Sequence, residues 1–213
     1  LTVSSNSFDD IVTDYGVDPD RLHIVHVGVD PAQFHPMEQI DVVPARLMTT
    51  ASADVAMKGL AFLLEALAKL RTDDPRVHLV VIGKPKYDSR ATALIKELDL
   101  SDSVEFVSGV SDQRIVELYN EAEVAVVPSL YEGFSLPAIE AMSCGVPLVA
   151  TTGGALPEVV GDDGVTALQV APGDSEALAA KIRWALAEKN LRATVGSAGR
   201  KRVEQNFSWR ITA

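Results

Sequence analysis

The sequence has one cysteine, Cys144, in 213 residues. An internal disulfide and a cysteine-rich zinc site are therefore excluded, and a cytoplasmic compartment is the expectation. The four histidines, His23, His26, His35 and His78, share no ligand spacing, so neither a metal site nor a general base is read from them. Positive charge is scarce. Nineteen Lys and Arg against 30 Asp and Glu leave a formal net charge of −11. Such a chain is a poor general binder of nucleic acid or anionic membrane, and any phosphate it holds needs local donors working against its own field. No apolar run approaches the roughly 20 residues of a membrane span, so direct insertion is not expected. Nor is there a visible signal peptide. The opening Leu1-Thr2-Val3-Ser4 has no initiator Met and reads as a piece of a longer chain.

What the sequence does have is apolar material in a regular order. Hydrophobic residues make up 47% and charged residues 23%, which excludes a disordered chain. Short apolar runs at Leu47–Thr50, Val77–Ile82, Val104–Val107, Val124–Val127, Leu148–Ala150 and Ala167–Val170 read as strands. Several are apolar at successive positions, as strands covered on both faces require. Helical spacing lies between them. It appears in the Leu stripe of Gly59–Arg71, in Leu94-Ile95-Leu98, and in Ile115–Tyr119 after the cap region Ser111-Asp112. Leu136–Ser143 ending at Gly145, Ala155–Val160 and Ser175–Ala187 continue the series. The alternation predicts an α/β fold, a Rossmann-like parallel sheet with helices on both faces. Ligands of such folds sit at the carboxyl ends of the strands.

Residues 1–45 read as a linker with an opening helix (Phe8–Tyr15), a strand-like Leu22–Val27 and a Pro-punctuated passage from Pro31 to Pro44. Residues 46–213 read as the domain proper, with a helix beginning near Phe207-Ser208-Trp209 and cut short. Trp184 and Trp209 are read as packing residues, Cys144 as a small buried residue, and Asp162-Asp163 as a solvated loop.

Three loops after strands could carry chemistry. In Pro128–Glu140, Pro137 suits a first helical turn and Ser135 an N-cap. The free amides of Gly133, Phe134, Ser135 and Leu136 would then form an anion site. Glu132 and Glu140 can reach the same cleft. Carboxylates beside an anion site make sense if the ligand carries diols on both sides of its phosphates, as a nucleotide sugar does; the bland alternative is two solvated glutamates. Lys58, at a strand-to-helix loop, could meet a phosphate as a point charge, or could be a surface lysine. Gly153-Gly154 permits close backbone approach or positive φ, or is a plain turn. Gly83-Lys84-Pro85-Lys86 carries the right charge in a weak pattern.

The segment Pro-Ser-Leu-Tyr-Glu-Gly-Phe-Ser-Leu-Pro-Ala-Ile-Glu-Ala-Met-Ser-Cys-Gly-Val-Pro, with its Glu132-x7-Glu140 pair, resembles the signature of the group 1 (family 4) retaining glycosyltransferases. Gly153–Gly161, Pro172-Gly173-Asp174, Phe207-Ser208-Trp209, Lys58-Gly59 and Val81-Ile82-Gly83 fall in that family's order, and residues 21–36 resemble its linker. The resemblance implies the C-terminal, donor-binding half of a GT-B enzyme. Its N-terminal acceptor-binding half would lie elsewhere in the same chain, and any membrane association would come from that half. The activity implied is sugar transfer from a nucleoside diphosphate to a hydroxyl acceptor, without metal or other cofactor. By the same resemblance Glu140 holds the ribose hydroxyls and Glu132 contacts the donor sugar. Gly133–Leu136 meet the sugar and distal phosphate, and Lys58 neutralises the leaving diphosphate. One position departs from the family. Ala53 stands where an Arg is usual, and Lys84 is the candidate to compensate. A sugar-nucleotide epimerase or phosphorylase of similar shape, and a non-catalytic interaction module, are the alternatives.

Overall fold

The computed structural model describes residues 1–51, 55–85 and 89–212. After an opening helix α1 (Ser5–Tyr15), strands and helices alternate as β1 (Arg46–Thr50), α2 (Leu60–Asp73), β2 (His78–Ile82), α3 (Arg90–Glu97), β3 (Val104–Val107) and α4 (Asp112–Glu121). The second half continues with β4 (Val124–Val127), α5 (Leu136–Ser143), β5 (Leu148–Thr151), α6 (Leu156–Val160), β6 (Leu168–Val170) and α7 (Ser175–Ala187). Helices α8 (Lys189–Asn206) and α9 (Trp209–Thr212) close the chain.

All strand pairings are parallel, in the order β3-β2-β1-β4-β5-β6. Side chains alternate between two cores. Leu47, Leu79, Val81, Val124, Val126 and Val149 face the core under α2, α3 and α7. Met48, Val80, Ala125, Val127, Leu148 and Ala150 face the core under α4, α5 and α6. Both faces being dry explains the nearly unbroken apolar runs in the sequence. The α/β expectation is met strand for strand. Chain order reverses between β1 and β4, the place at which sheets of this kind bind ligands.

The expectations for Leu22–Val27, Trp184, Trp209 and Asp162-Asp163 need correction, and one helix has no counterpart in the sequence pattern. Leu22–Val27 forms no strand; Ile24 alone bridges to Thr2. Helix α8 was not legible, because its buried residues are Val195, Gly196, Gly199 and Val203, with no apolar stripe. Its glycines are there for contact: a Cβ at Gly199 would sit 2.9 Å from the Thr166 carbonyl oxygen. Finally, Trp184 and Trp209 are half-exposed rather than packed, the Trp184 ring lying under the Lys181 ammonium. Cys144 is buried as expected. Asp163 is less free than a solvated loop residue, since it accepts from the Gln169 amide and pairs with Lys181.

The first 45 residues are tied to the sheet domain by hydrogen bonds. Ser4 caps α1 by accepting from the Ser7 amide. The Ser5 amide donates to Glu158 of α6, and His26 Nε2 meets the same carboxylate at 2.9 Å. Among the described residues no helix is long and apolar enough to cross a membrane.

Candidate functional site

Three loops meet at the carboxyl edge of the sheet, after β1, β4 and β5. The loop after β1 ends in one 3-10 turn, Ala56–Lys58, and Gly59 at φ 67° turns the chain into α2. A side chain at Gly59 would land on the Pro128 carbonyl, and one at Gly154 on the Glu132 backbone. Glycine is required at both places, because backbone lies against backbone. The Leu130 amide donates to the Met57 carbonyl at 2.7 Å, the Ala155 amide to Glu132 at 2.8 Å, and the Thr151 hydroxyl to the Ser129 carbonyl. Gly153-Gly154 is thus a close-approach element, not a plain turn.

This cross-tying brings Lys58 and Glu132 together. Lys58 Nζ lies 2.8 and 2.9 Å from the two Glu132 oxygens, and the Ser129 hydroxyl donates to Oε1 at 2.7 Å. The Glu132 side chain is 9% exposed and that of Lys58 33%. Glu132 is therefore neither solvated nor idle. It is a desolvated carboxylate neutralised by one cation and one hydroxyl.

The next residues enter α5. The Gly133 carbonyl accepts from the hydroxyls of Ser4 (2.7 Å) and Ser7 (3.2 Å). A trans peptide points its C=O and N–H in opposite directions, so tying this carbonyl toward α1 aims the Phe134 amide away from α1. The Phe134 ring is buried, edge-on to Phe207 at 5.6 Å and tilted against His26 at 5.9 Å. Neighbouring Tyr131 accepts from Asn6 (2.8 Å) and donates to Asp10; the latter bond pushes its phenol up to about 12.

Ser135 corrects the expectation of a side-chain cap. Its backbone is left-handed, φ 104°, and no side-chain capping bond forms. A capping hydroxyl reaches the amides of the first turn from an extended backbone, which this residue lacks. Its Oγ is buried and has no partner among the described residues. A non-glycine residue held there is strained, and the first-turn amides of α5 are left uncapped by it. Leu136 is 44% exposed at the mouth.

Glu140 lies one turn further along α5. The Tyr119 hydroxyl, on α4, donates to its Oε2 at 3.0 Å. Burial, first of all, holds this carboxyl above the usual range; the Tyr119 bond pulls it down and Asp112 pushes it up. The geometry thus gathers a cation, uncapped helix-start amides and two carboxylates at one edge, a set that can hold an anion flanked by hydroxyls. Lys84 follows β2 and is exposed; Ala53 and Lys86 lie outside the described residues. Among the described residues no group of three His, Cys, Asp or Glu side chains is disposed to hold a metal. A groove of about 590 Å³ lies instead at the amino ends of the strands, lined by Met37, Val42, Pro147 and Arg192 among others. It is remote from these groups and takes no part in the site.

Sequence reasoning missed Ser4, Ser7, Ser129 and Tyr119. Only Ser129 carried a signal, being a small polar residue two places beyond a buried strand.

Residues 43–202 match the family of group 1 glycosyl transferases. The MMP alpha-(1->4)-mannosyltransferase of Mycolicibacterium hassiacum is 46% identical over 213 residues, covering 100% of this chain and 51% of that protein. The D-inositol 3-phosphate glycosyltransferase of Geodermatophilus obscurus is 35% identical, covering 95% and 47%. Among solved structures, sucrose-phosphate synthase from Thermosynechococcus elongatus superposes with a TM-score of 0.86 at 29% identity, over 99% of this chain and 54% of that one. The chain spans about half the length of the curated relatives it matches. Its sheet order, its Glu132-x7-Glu140 segment and the family match together place it: this chain belongs to the group 1 glycosyl transferases, with the Rossmann-like fold of GT-B enzymes.

Proposed function

We propose that this chain is the donor-binding half of a retaining, metal-independent glycosyltransferase, which moves a sugar from a nucleoside diphosphate to a hydroxyl acceptor. The observation that carries the reading is the Lys58–Glu132 pair set beside the uncapped start of α5. An arriving diphosphate competes for Lys58 and draws the ammonium from Glu132. The carboxylate so released accepts from the donor-sugar hydroxyls. The amides of Gly133, Phe134, Ser135 and Leu136 meet the distal phosphate and the sugar, and Glu140 holds the ribose diol. In the transfer the bond from the anomeric carbon to the phosphate oxygen breaks and its electron pair leaves with the diphosphate. The acceptor oxygen bonds to the anomeric carbon on the same face and gives its proton to the departing phosphate oxygen. Lys58 and the amides stabilise the departing charge, the work that a divalent ion does elsewhere. The mannosyltransferase relative makes a mannose-type hexose the first donor to try. The acceptor is assigned to the other half of the enzyme, and a cytoplasmic location belongs to the same reading.

The test is calorimetric titration of this chain with UDP, GDP and ADP, without added metal and with Glu140→Ala as control. One nucleotide is expected to bind, and binding to disappear in the variant. Equal binding by the variant would remove Glu140 from the site. No binding of any of the three would defeat the reading for this chain.

A further inference from the structure

Tyr119 is fully enclosed, yet the scheme above gives it no task. Its ring packs edge-on to Phe34 at 6.4 Å. Its hydroxyl sits at the carboxyl edge of the sheet among three oxygens: Glu140 Oε2 at 3.0 Å, Thr50 Oγ1 at 3.3 Å and the Pro137 carbonyl at 3.4 Å. A phenol has one proton to give. Burial and the charge of Glu140 raise Tyr119 well above its ordinary value, so the proton stays on it. The carboxylate is the strongest of the three acceptors and the nearest. The Thr50 hydroxyl is then free to donate to the phenol oxygen, giving a chain from Thr50 through Tyr119 to Glu140. Among the described residues Oε1 of Glu140 has no protein partner, so the bond fixes one oxygen and leaves the other to the cleft.

We infer that Tyr119 is a positioning residue, which holds the Glu140 carboxylate in the orientation that takes the diol of the nucleotide ribose. The inference rests on the donor-binding reading given above. A carboxylate free to rotate loses part of its advantage for two adjacent hydroxyls, because its rotamers must be fixed on binding. A carboxylate pinned at one oxygen has that cost removed beforehand. Tyr119 therefore sets discrimination between ribose and deoxyribose, rather than affinity for the phosphates. Its bond also opposes the upward pull of burial and of Asp112, on α4 like Tyr119, on the Glu140 carboxyl. Cys144, just past the end of α5, sits near enough to feel the Glu140 charge, which raises its thiol, and the charge of Arg200 on α8, which lowers it.

The experiment compares the unsubstituted chain, Tyr119→Phe and Glu140→Ala. The probes are the ribo- and 2′,3′-dideoxy forms of UDP, GDP and ADP. Tyr119→Phe keeps the ring, and its melting curve reports folding. The ratio of dideoxy to ribo dissociation constants is expected to fall by about tenfold in Tyr119→Phe, the value of one charge-assisted hydrogen bond. Loosened packing would weaken both forms alike and leave the ratio unchanged. A second readout needs no ligand. The Glu140 carboxyl carbon, followed by NMR against pH, is expected to titrate higher in Tyr119→Phe. An unchanged ratio and titration in Tyr119→Phe, with binding lost in Glu140→Ala, overturns the role of Tyr119 and leaves the donor site standing. Binding retained in Glu140→Ala, or absent from the unsubstituted chain, overturns both.

Discussion

Replacing Lys58 with Met is expected to lower stability and donor binding together, and a second substitution separates the two. The pair it breaks is desolvated on one side only: Glu132 is 9% exposed by side chain and Lys58 33%. Removing one partner of a fully buried pair costs about 3–5 kcal/mol. Here water reaches the lysine, and the Ser129 hydroxyl still serves Glu132 at 2.7 Å. The expected loss is therefore smaller, about 2 kcal/mol. For a chain of this size that lowers the melting temperature by about 4–8 °C. Adding Glu132→Gln removes the stranded charge, keeps an acceptor for Ser129, and is expected to recover at least about 1 kcal/mol as a coupling energy. Chemical denaturation of the four proteins of the cycle measures this. Calorimetry on the same samples is expected to show binding lost in both single variants and in the double. Additive stabilities would mean that Lys58 and Glu132 do not hold each other in solution. Binding restored with stability would mean that the pair is scaffolding and not the site.

Three further outcomes follow from the same geometry. Gly59→Ala puts a methyl on the Pro128 carbonyl at φ 67° and is expected to cost on the order of 3 kcal/mol, read from the denaturation midpoint. Burial raises Glu140 above its unfolded value near 4.5, so the folded chain holds that proton more tightly; its contribution to stability is present at low pH and lost as pH rises through the folded value. Glu140→Gln should therefore melt higher than the unsubstituted chain at neutral pH, with the gap closing on acidification; a gap constant with pH would contradict this. Burial pushes the Cys144 thiol up to about 12, so iodoacetamide at mildly alkaline pH is expected to label it at the rate of unfolding, and rapid native labelling would refute its enclosure.

The sheet was readable because β1, β4 and β5 are covered on both faces and leave long apolar runs between turn residues. Helix α8 was not, since its contact face is built from Gly196 and Gly199 and gives no period to detect. Lys58 and Glu132 could be singled out from loop position, and Glu140 from its place in the helix that follows. That Lys58 and Glu132 bind one another, 74 residues apart, depends on the glycine-mediated contact of two loops, which no local pattern encodes. Ser135 misled for a physical reason: residue type proposes a cap, but backbone angle decides it. Tyr119 stayed hidden because its ring fits the apolar stripe of α4 and only its last atom meets Glu140.

The bonds from Ser4 and Ser7 to the Gly133 carbonyl bear on where a transplantable unit ends. The family match begins at residue 43, and a swap of this half between related enzymes would naturally be cut there. Such a graft would leave behind both hydroxyls on Gly133, the Asn6 and Asp10 partners of Tyr131, and the His26 ring against Phe134. The recipient's own opening helix would then face a foreign loop and set its peptide plane by chance. A chimera that is to keep the Gly133 peptide as it stands here must carry residues 2–26 with the sheet, even though they precede it in the chain and contribute no strand to it.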